Sequence, residues 1–151
     1  MTKRGLVREV GGSELDAAAA WAVRPFPNPA LFAAARRTLH ALVESQAARF
    51  GPGATRFGIV PSQSWHEADP WTAPTAWSAW SLAALGDRRP ALGLLADLRR
   101  AATPAGVLPE RVDARTGVPR STAPLAWSHA FAVLALRELW PGRDEKRRRG
   151  P

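Results

Sequence analysis

Glu110 stands in a stretch punctuated by Pro109, Gly117 and Pro119, while Trp71 and Trp127 each stand at the head of an apolar segment. A carboxylate on an irregular loop can be aimed by its neighbours while water still reaches it, which suits it to take a proton from water in a hydrolysis. Most lone glutamates are solvated surface groups, so residue type alone leaves both readings open. Indole rings offer a second chemistry, because the C–H face of a pyranose packs on a flat aromatic ring as other apolar groups do. Residues 54–71 hold a further concentration of such groups in Trp65, His66, Glu67, Asp69 and Trp71. No second ligand stands at helical or hairpin spacing from His66 and Glu67, so this is not a metal motif. The chain has no cysteine. That excludes a thiolate metal site, a thiol nucleophile and a disulfide framework. No metal or cofactor is expected.

These groups need elements to position them. Ser13 followed by Glu14, Leu15 and Asp16 reads as a capped helix start leading through about Val23, ended by Pro25, Pro27 and Pro29. Asn28 caps a second helix with Pro29 at its first position and an apolar stripe of Leu31, Ala35, Leu39, Leu42 and Val43. Gly51-Pro52-Gly53 stops it, and residues 54–71 form a long loop. A third helix runs from about Pro74 to Leu85 with Gly86 as its stop, and Trp77 and Trp80, at helical spacing, are expected in the core. Asp87 caps a fourth helix, whose buried stripe is Ala91, Leu94, Leu95, Leu98 and Ala102. A second long loop, Gly106 to Pro124, turns at Thr116-Gly117. It delivers the chain into a fifth helix with Leu125, His129, Ala132, Val133 and Leu136 along one side. Paired helices, joined tightly at one end and by chemically loaded loops at the other, are units that stack side by side into a larger ring or solenoid.

The bulk composition agrees. A chain of 151 residues, 46% hydrophobic and 23% charged, suits one soluble domain, and alanine and leucine with seven Trp and no Tyr favour helix over sheet. The formal net charge is +8, but Arg36-Arg37, Arg88-Arg89 and Arg99-Arg100 are spread along helices. Only residues 143–149 form a run, and a solvated tail explains it better than a nucleic-acid site does. No apolar run is long enough for a secretory leader or a membrane span, so the chain reads as cytoplasmic, with no membrane and no nucleic-acid partner. The expected organisation is a lead-in over 1–12, a helical domain over 13–140 and a basic, disordered tail over 141–151.

Leu108-Pro109-Glu110-Arg111-Val112-Asp113, then Thr116-Gly117-Val118-Pro119, then Pro124-Leu125-Ala126-Trp127-Ser128-His129-Ala130 resembles glycoside hydrolase family fifteen, the glucoamylases, glucodextranases and some bacterial trehalases. Gly106, Leu108, Pro109, Glu110, Gly117, Leu125, Trp127, Ser128, His129 and Ala130 match that family in order and spacing. Pro70-Trp71 and Leu15-Asp16-Ala17 resemble its upstream segments. The resemblance implies an all-α fold in which helical hairpins form part of an (α/α)6 barrel, and hydrolysis of α-glucosidic bonds with inversion. Inversion uses two carboxyl groups about 6.5–9.5 Å apart, an acid for the leaving oxygen and a base for the water. By position Glu110 is the base; Trp71 and Trp127 are the candidates for stacking on the sugar, and His129 and Arg111 the candidates for bonding its hydroxyls. His129 could instead bond the base loop or sit satisfied in the core. The family's acid lies in an upstream Trp-Glu segment that no residue before Ser13 matches, and nothing in the spacing of Glu67 makes it a substitute. The segment Trp65 to Asp69 departs from the family's Asp-x-Tyr-x-Gly-Gly stretch. The chain is therefore expected to be the C-terminal part of such a hydrolase, acting with the rest of the barrel on an α-linked oligosaccharide or glucoside. The alternative is a non-catalytic carbohydrate-binding or interaction module of the same descent.

Overall fold

The computed structural model describes residues 5–51 and 53–142, and the basic run from Arg143 onward lies outside them. The described residues form helices α1 (Phe32–Phe50), α2 (Thr72–Ala84), α3 (Arg88–Ala101) and α4 (Ala126–Leu139), with shorter 3₁₀ turns at Ala17–Ala22 and Pro29–Leu31. No β-strand forms among them, and extended segments meet only through isolated bridges. The fold is all-α, as expected. No described helix is long and apolar enough to cross a membrane.

The first helix starts later and is tighter than its sequence suggests. Leu15 and Asp16 are bridged to Val7 and Ser62, and the Ala17 N–H donates to the Pro61 carbonyl at 2.8 Å. Those bonds hold residues 15 and 16 extended, so Asp16 rather than Ser13 is the cap, its carboxylate accepting from the Ala18 N–H at 2.7 Å. With Pro25 close behind, only six residues remain, and they wind as 3₁₀ helix. Asn28 caps as predicted, accepting from the Ala30 N–H at 3.2 Å with Pro29 at the first position. Ala35, Leu39 and Leu42 are buried on α1, while Leu31 and Val43 are half-buried at its edge.

Helix α2 is the centre of the packing, with α4 and α3 laid against it and the Ala17–Ala22 turn and α1 completing its cover. Its interior residues are small: Ala73, Ala76, Ala79, Thr72, Thr75, Ser78 and Ser81 are buried beside Leu82. Small side chains let neighbouring backbones approach closely, and the hydroxyls of Thr72, Thr75 and Ser81 bond outside the helix. The Ser81 hydroxyl donates to the Ala20 carbonyl at 2.8 Å. Gly86 ends the helix at φ 82, a conformation glycine adopts without a Cβ clash. Asp87 follows at the head of α3 but makes no side-chain cap. Its carboxylate lies 2.9 Å from Arg36 and 3.1 Å from His40 on α1, which draws it away from the helix end. Ala91, Leu94 and Leu98 are buried on α3 as predicted, and so is Asp97, between Arg56 and Arg100. Burial pushes the Asp97 carboxyl above its usual range while the two guanidiniums pull it back.

Helix α4 is rotated from the expected orientation. It buries Ser128, Ala135 and Leu139 against α2 and leaves Val133, Leu136 and Trp140 in the open. The reason is fit: at the head of α4 the small Ser128 meets Thr72 of α2, and the bulky Phe131 packs beside Trp77 and Trp80. Trp77 and Trp80 are half-buried rather than fully enclosed. With Phe131 they form a tilted and edge-on aromatic stack at 5.8–6.0 Å. If close approach to α2 is what holds α3 and α4, Ala79→Leu should cost about 1–3 kcal/mol by overpacking. Ala33→Leu on the exposed side of α1 should stay within about 0.5 kcal/mol. Urea unfolding midpoints of the two variants check both values.

Candidate functional site

Segment 108–112 passes the N-terminal ends of α2 and α4 as an extended strip, and both helices hold it. From α2, the Thr72 N–H donates to the Glu110 carbonyl at 3.0 Å and the Thr72 hydroxyl donates to the Pro109 carbonyl. From α4, the Nε2 of His129 accepts from the Leu108 N–H at 3.0 Å, and the Leu125 N–H donates to the Leu108 carbonyl at 2.9 Å. The Thr72 and Ser128 hydroxyls meet at 2.8 Å with both residues fully buried. Further along, the Val112 N–H donates to the Pro70 carbonyl at 3.2 Å, and the Glu110 N–H donates to the Thr122 carbonyl at 2.7 Å. The strip is thus sewn along both edges.

The half-buried Glu110 side chain is bonded through Oε2 by the hydroxyl of Ser121. No cation pairs with it among the described residues, although Arg111, Arg115 and Arg120 are close in sequence. Arg111 pairs with Glu67, which His66 also approaches at 3.8 Å. Arg120 pairs with Asp113 at the tip of the loop. A guanidinium bonded to a carboxylate weakens it as a base, and here two of the neighbouring guanidiniums are engaged elsewhere. Arg120, then the Thr116 N–H and hydroxyl and the Arg115 N–H, hold the Asp113 carboxyl far below the usual range. Gly117 completes the predicted turn at φ 73, and a Cβ there would come within 2.4 Å of the Phe57 ring.

The chain brings the predicted site residues to one end of the bundle. Trp71 and Trp127 each precede a member of the Thr72–Ser128 pair, Arg111 is bridged to Trp71, and His129 supports Leu108. Trp71 and Trp65 meet edge to face at 5.4 Å, and the indole N–H of each is buried without a protein partner. Trp127 is 48% exposed and lies edge-on to Trp77 at 6.0 Å. Glu67 is occupied by Arg111, which leaves it a brace for that arginine. Sequence reasoning missed Thr72, Ser121 and the coupling role of Ser128, because a hydroxyl carries no signal until its partner's position is known. Asp113 with Arg120 could have been read from the turn between them.

No protein-family model matches the chain, and no curated protein matches it. Solved structures do. A wild-type glycosidase is 25% identical with a TM-score of 0.73, and a tyrosine-to-phenylalanine variant of a glycosidase is 25% identical with a TM-score of 0.74. A glutamate-to-alanine glycosidase variant in complex with glucose is 24% identical, with a TM-score of 0.73. Each match covers 92% of this chain but only 39% of the glycosidase. The chain therefore has a glycosidase fold, and it spans about two-fifths of the length of the glycosidases it matches.

The depressed Asp113 carboxyl gives the loop a pH dependence. A carboxyl whose folded pKa lies below its unfolded one contributes stability that is present above the unfolded value, about 3.9 for Asp, and is lost as pH falls toward the folded value. Thermal midpoints of the wild type should therefore fall faster than those of Asp113→Asn as pH drops below about 4. Parallel curves would remove Asp113 from the account.

Proposed function

We propose that this chain is the base-bearing part of an inverting glycoside hydrolase of the family-fifteen kind, acting on α-glucosidic bonds. The observation that supports this most is the Glu110 carboxylate. It is carried on a strip fixed by two helix ends, bonded by a serine hydroxyl and free of the neighbouring guanidiniums, in a chain with a glycosidase fold. In this reading Glu110 takes a proton from a water, which attacks the anomeric carbon. The general acid protonates the leaving oxygen from the opposite side, about 6.5–9.5 Å away. That acid comes from the part of the barrel this chain does not span. Trp127 and Trp71 provide stacking surface for the sugar, and Arg111, braced by Glu67, presents N–H donors to its hydroxyls. His129 acts on the base loop through Leu108.

The test is an assembly of this chain with the remaining helices, assayed for glucose release from maltooligosaccharides. The first product should be β-glucose, seen by NMR before mutarotation. Glu110→Gln should lower kcat by about 10²–10⁴ with little change in KM, since only activation of the water is removed. Turnover near that of the wild type would reject the assignment.

A second reading draws on the half-exposed Trp127 and the unpartnered indole N–H groups of Trp65 and Trp71. In it the chain binds carbohydrate without cleaving it. Maltooligosaccharide binding that Trp127→Ala abolishes, with no glucose released by the full assembly, would favour this reading over the first.

A further inference from the structure

Helices α3 and α4 both lean on α2 and hardly touch each other. Between them runs an open groove of about 590 Å³, lined chiefly by Leu92, Leu95, Ala102, Leu108, Leu136 and Trp140. Its wall on the α4 side is bare for an apolar surface, with Leu136 45% and Trp140 54% exposed. No carboxylate lines the groove, while Arg99 does, and the Arg88 guanidinium lies 5.0 Å over the Trp140 ring. Contiguous apolar surface rimmed by one sign of charge marks a place where a complementary surface seats. Leu108 and His129, which join in holding the base strip, also line the groove.

We propose that this groove receives an amphipathic helix of a partner polypeptide, apolar along one face and acidic along its edges. Its seating bears on the Leu108 stem of the Glu110 strip. A helix fits because the walls are themselves helices, and a third one laid between them packs ridges into grooves at the usual separation of about 8–10 Å. A second copy of this chain fits poorly. It would set a carboxylate-free, arginine-rimmed face against its own kind between molecules that each carry +8. The glycosidases of the same fold carry about three-fifths of their length beyond the part this chain matches, which is where such a helix would come from. The inference rests on the proposed function in taking the partner to be the portion that brings the general acid. It does not require Glu110 to be the base.

The experiment uses the full chain and two synthetic helices about five turns long. Both carry a leucine stripe, one flanked by glutamates and the other by lysines. The acidic helix should bind at least about tenfold more tightly than the basic one, and its affinity should fall with salt. Leu136→Glu and Leu95→Glu should each weaken it by about tenfold or more. Circular dichroism confirms that these variants remain folded, and Leu136 is already half-exposed. In NMR spectra the Leu108 and Glu110 amide signals should shift when the acidic helix binds. Equal affinity for the two helices, no binding of either, or self-association of the chain that Leu136→Glu abolishes would each overturn the proposal. The readout is peptide affinity, whereas the role of Glu110 is read by turnover, so failure of one is distinct from failure of the other.

Discussion

The position of the candidate base depends on one buried contact, the hydrogen bond between the Thr72 hydroxyl on α2 and the Ser128 hydroxyl on α4. Leaving a buried hydroxyl unpaired costs about 1–3 kcal/mol, more than the roughly 0.5–1.5 kcal/mol a made bond contributes. The contact therefore matters more for which arrangement it permits than for how much it stabilises. It fixes the first turn of α4 against the first turn of α2. Because Thr72 also bonds Pro109 and Glu110, the same contact sets where the Glu110 strip lies. Small residues around the contact make it possible: Ala73 and Ala76 on α2 and Ala135 on α4 are buried, and the bulky Phe131 of α4 packs beside Trp77 and Trp80.

Charge is organised around that strip in the same manner. The loop is rich in arginine, and an unpaired guanidinium beside Glu110 would favour a carboxylate too stable to accept a proton. Glu67 engages Arg111 and Asp113 engages Arg120, one from the other long loop and one from the loop's own turn. The partner left for Glu110 is neutral, the Ser121 hydroxyl. It can orient one carboxylate oxygen without neutralising the group. The aromatic stack of Trp77, Trp80, Phe131 and Trp127 borders the same end of α2 and α4, so polar positioning and apolar surface come from the same pair of helices.

Where local chemistry decides, the residues alone were enough to read. Asn28 with Pro29, Gly86 after α2 and the Thr116-Gly117 turn are local devices, and each appears where the sequence put it. The four α-helices and the two long loops at one end follow from the same kind of signal. The failures share a cause. Ser13 lost the cap to Asp16 because Leu15 and Asp16 are bridged to Val7 and Ser62, and Asp87 left its helix end because Arg36 and His40 reach it from α1. Each is a contact between residues far apart in the chain.

The sequence by itself determined the helical class and the element boundaries set by proline and glycine, and a motif of specific spacing singled out Glu110 as the candidate base. Those are properties of neighbouring residues and survive without knowledge of the fold. The tertiary structure decided which face of α4 is buried, since the Thr72–Ser128 contact and the stacking of Phe131 on Trp77 and Trp80 turn Ser128, Ala135 and Leu139 inward and leave Leu136 open. It also assigned partners to Arg111, Arg120 and His129, because a charge or a ring nitrogen takes the group that packing brings within reach. A hydrophobic stripe fixes how amphipathic a helix is. Fit against its neighbours fixes which way it turns.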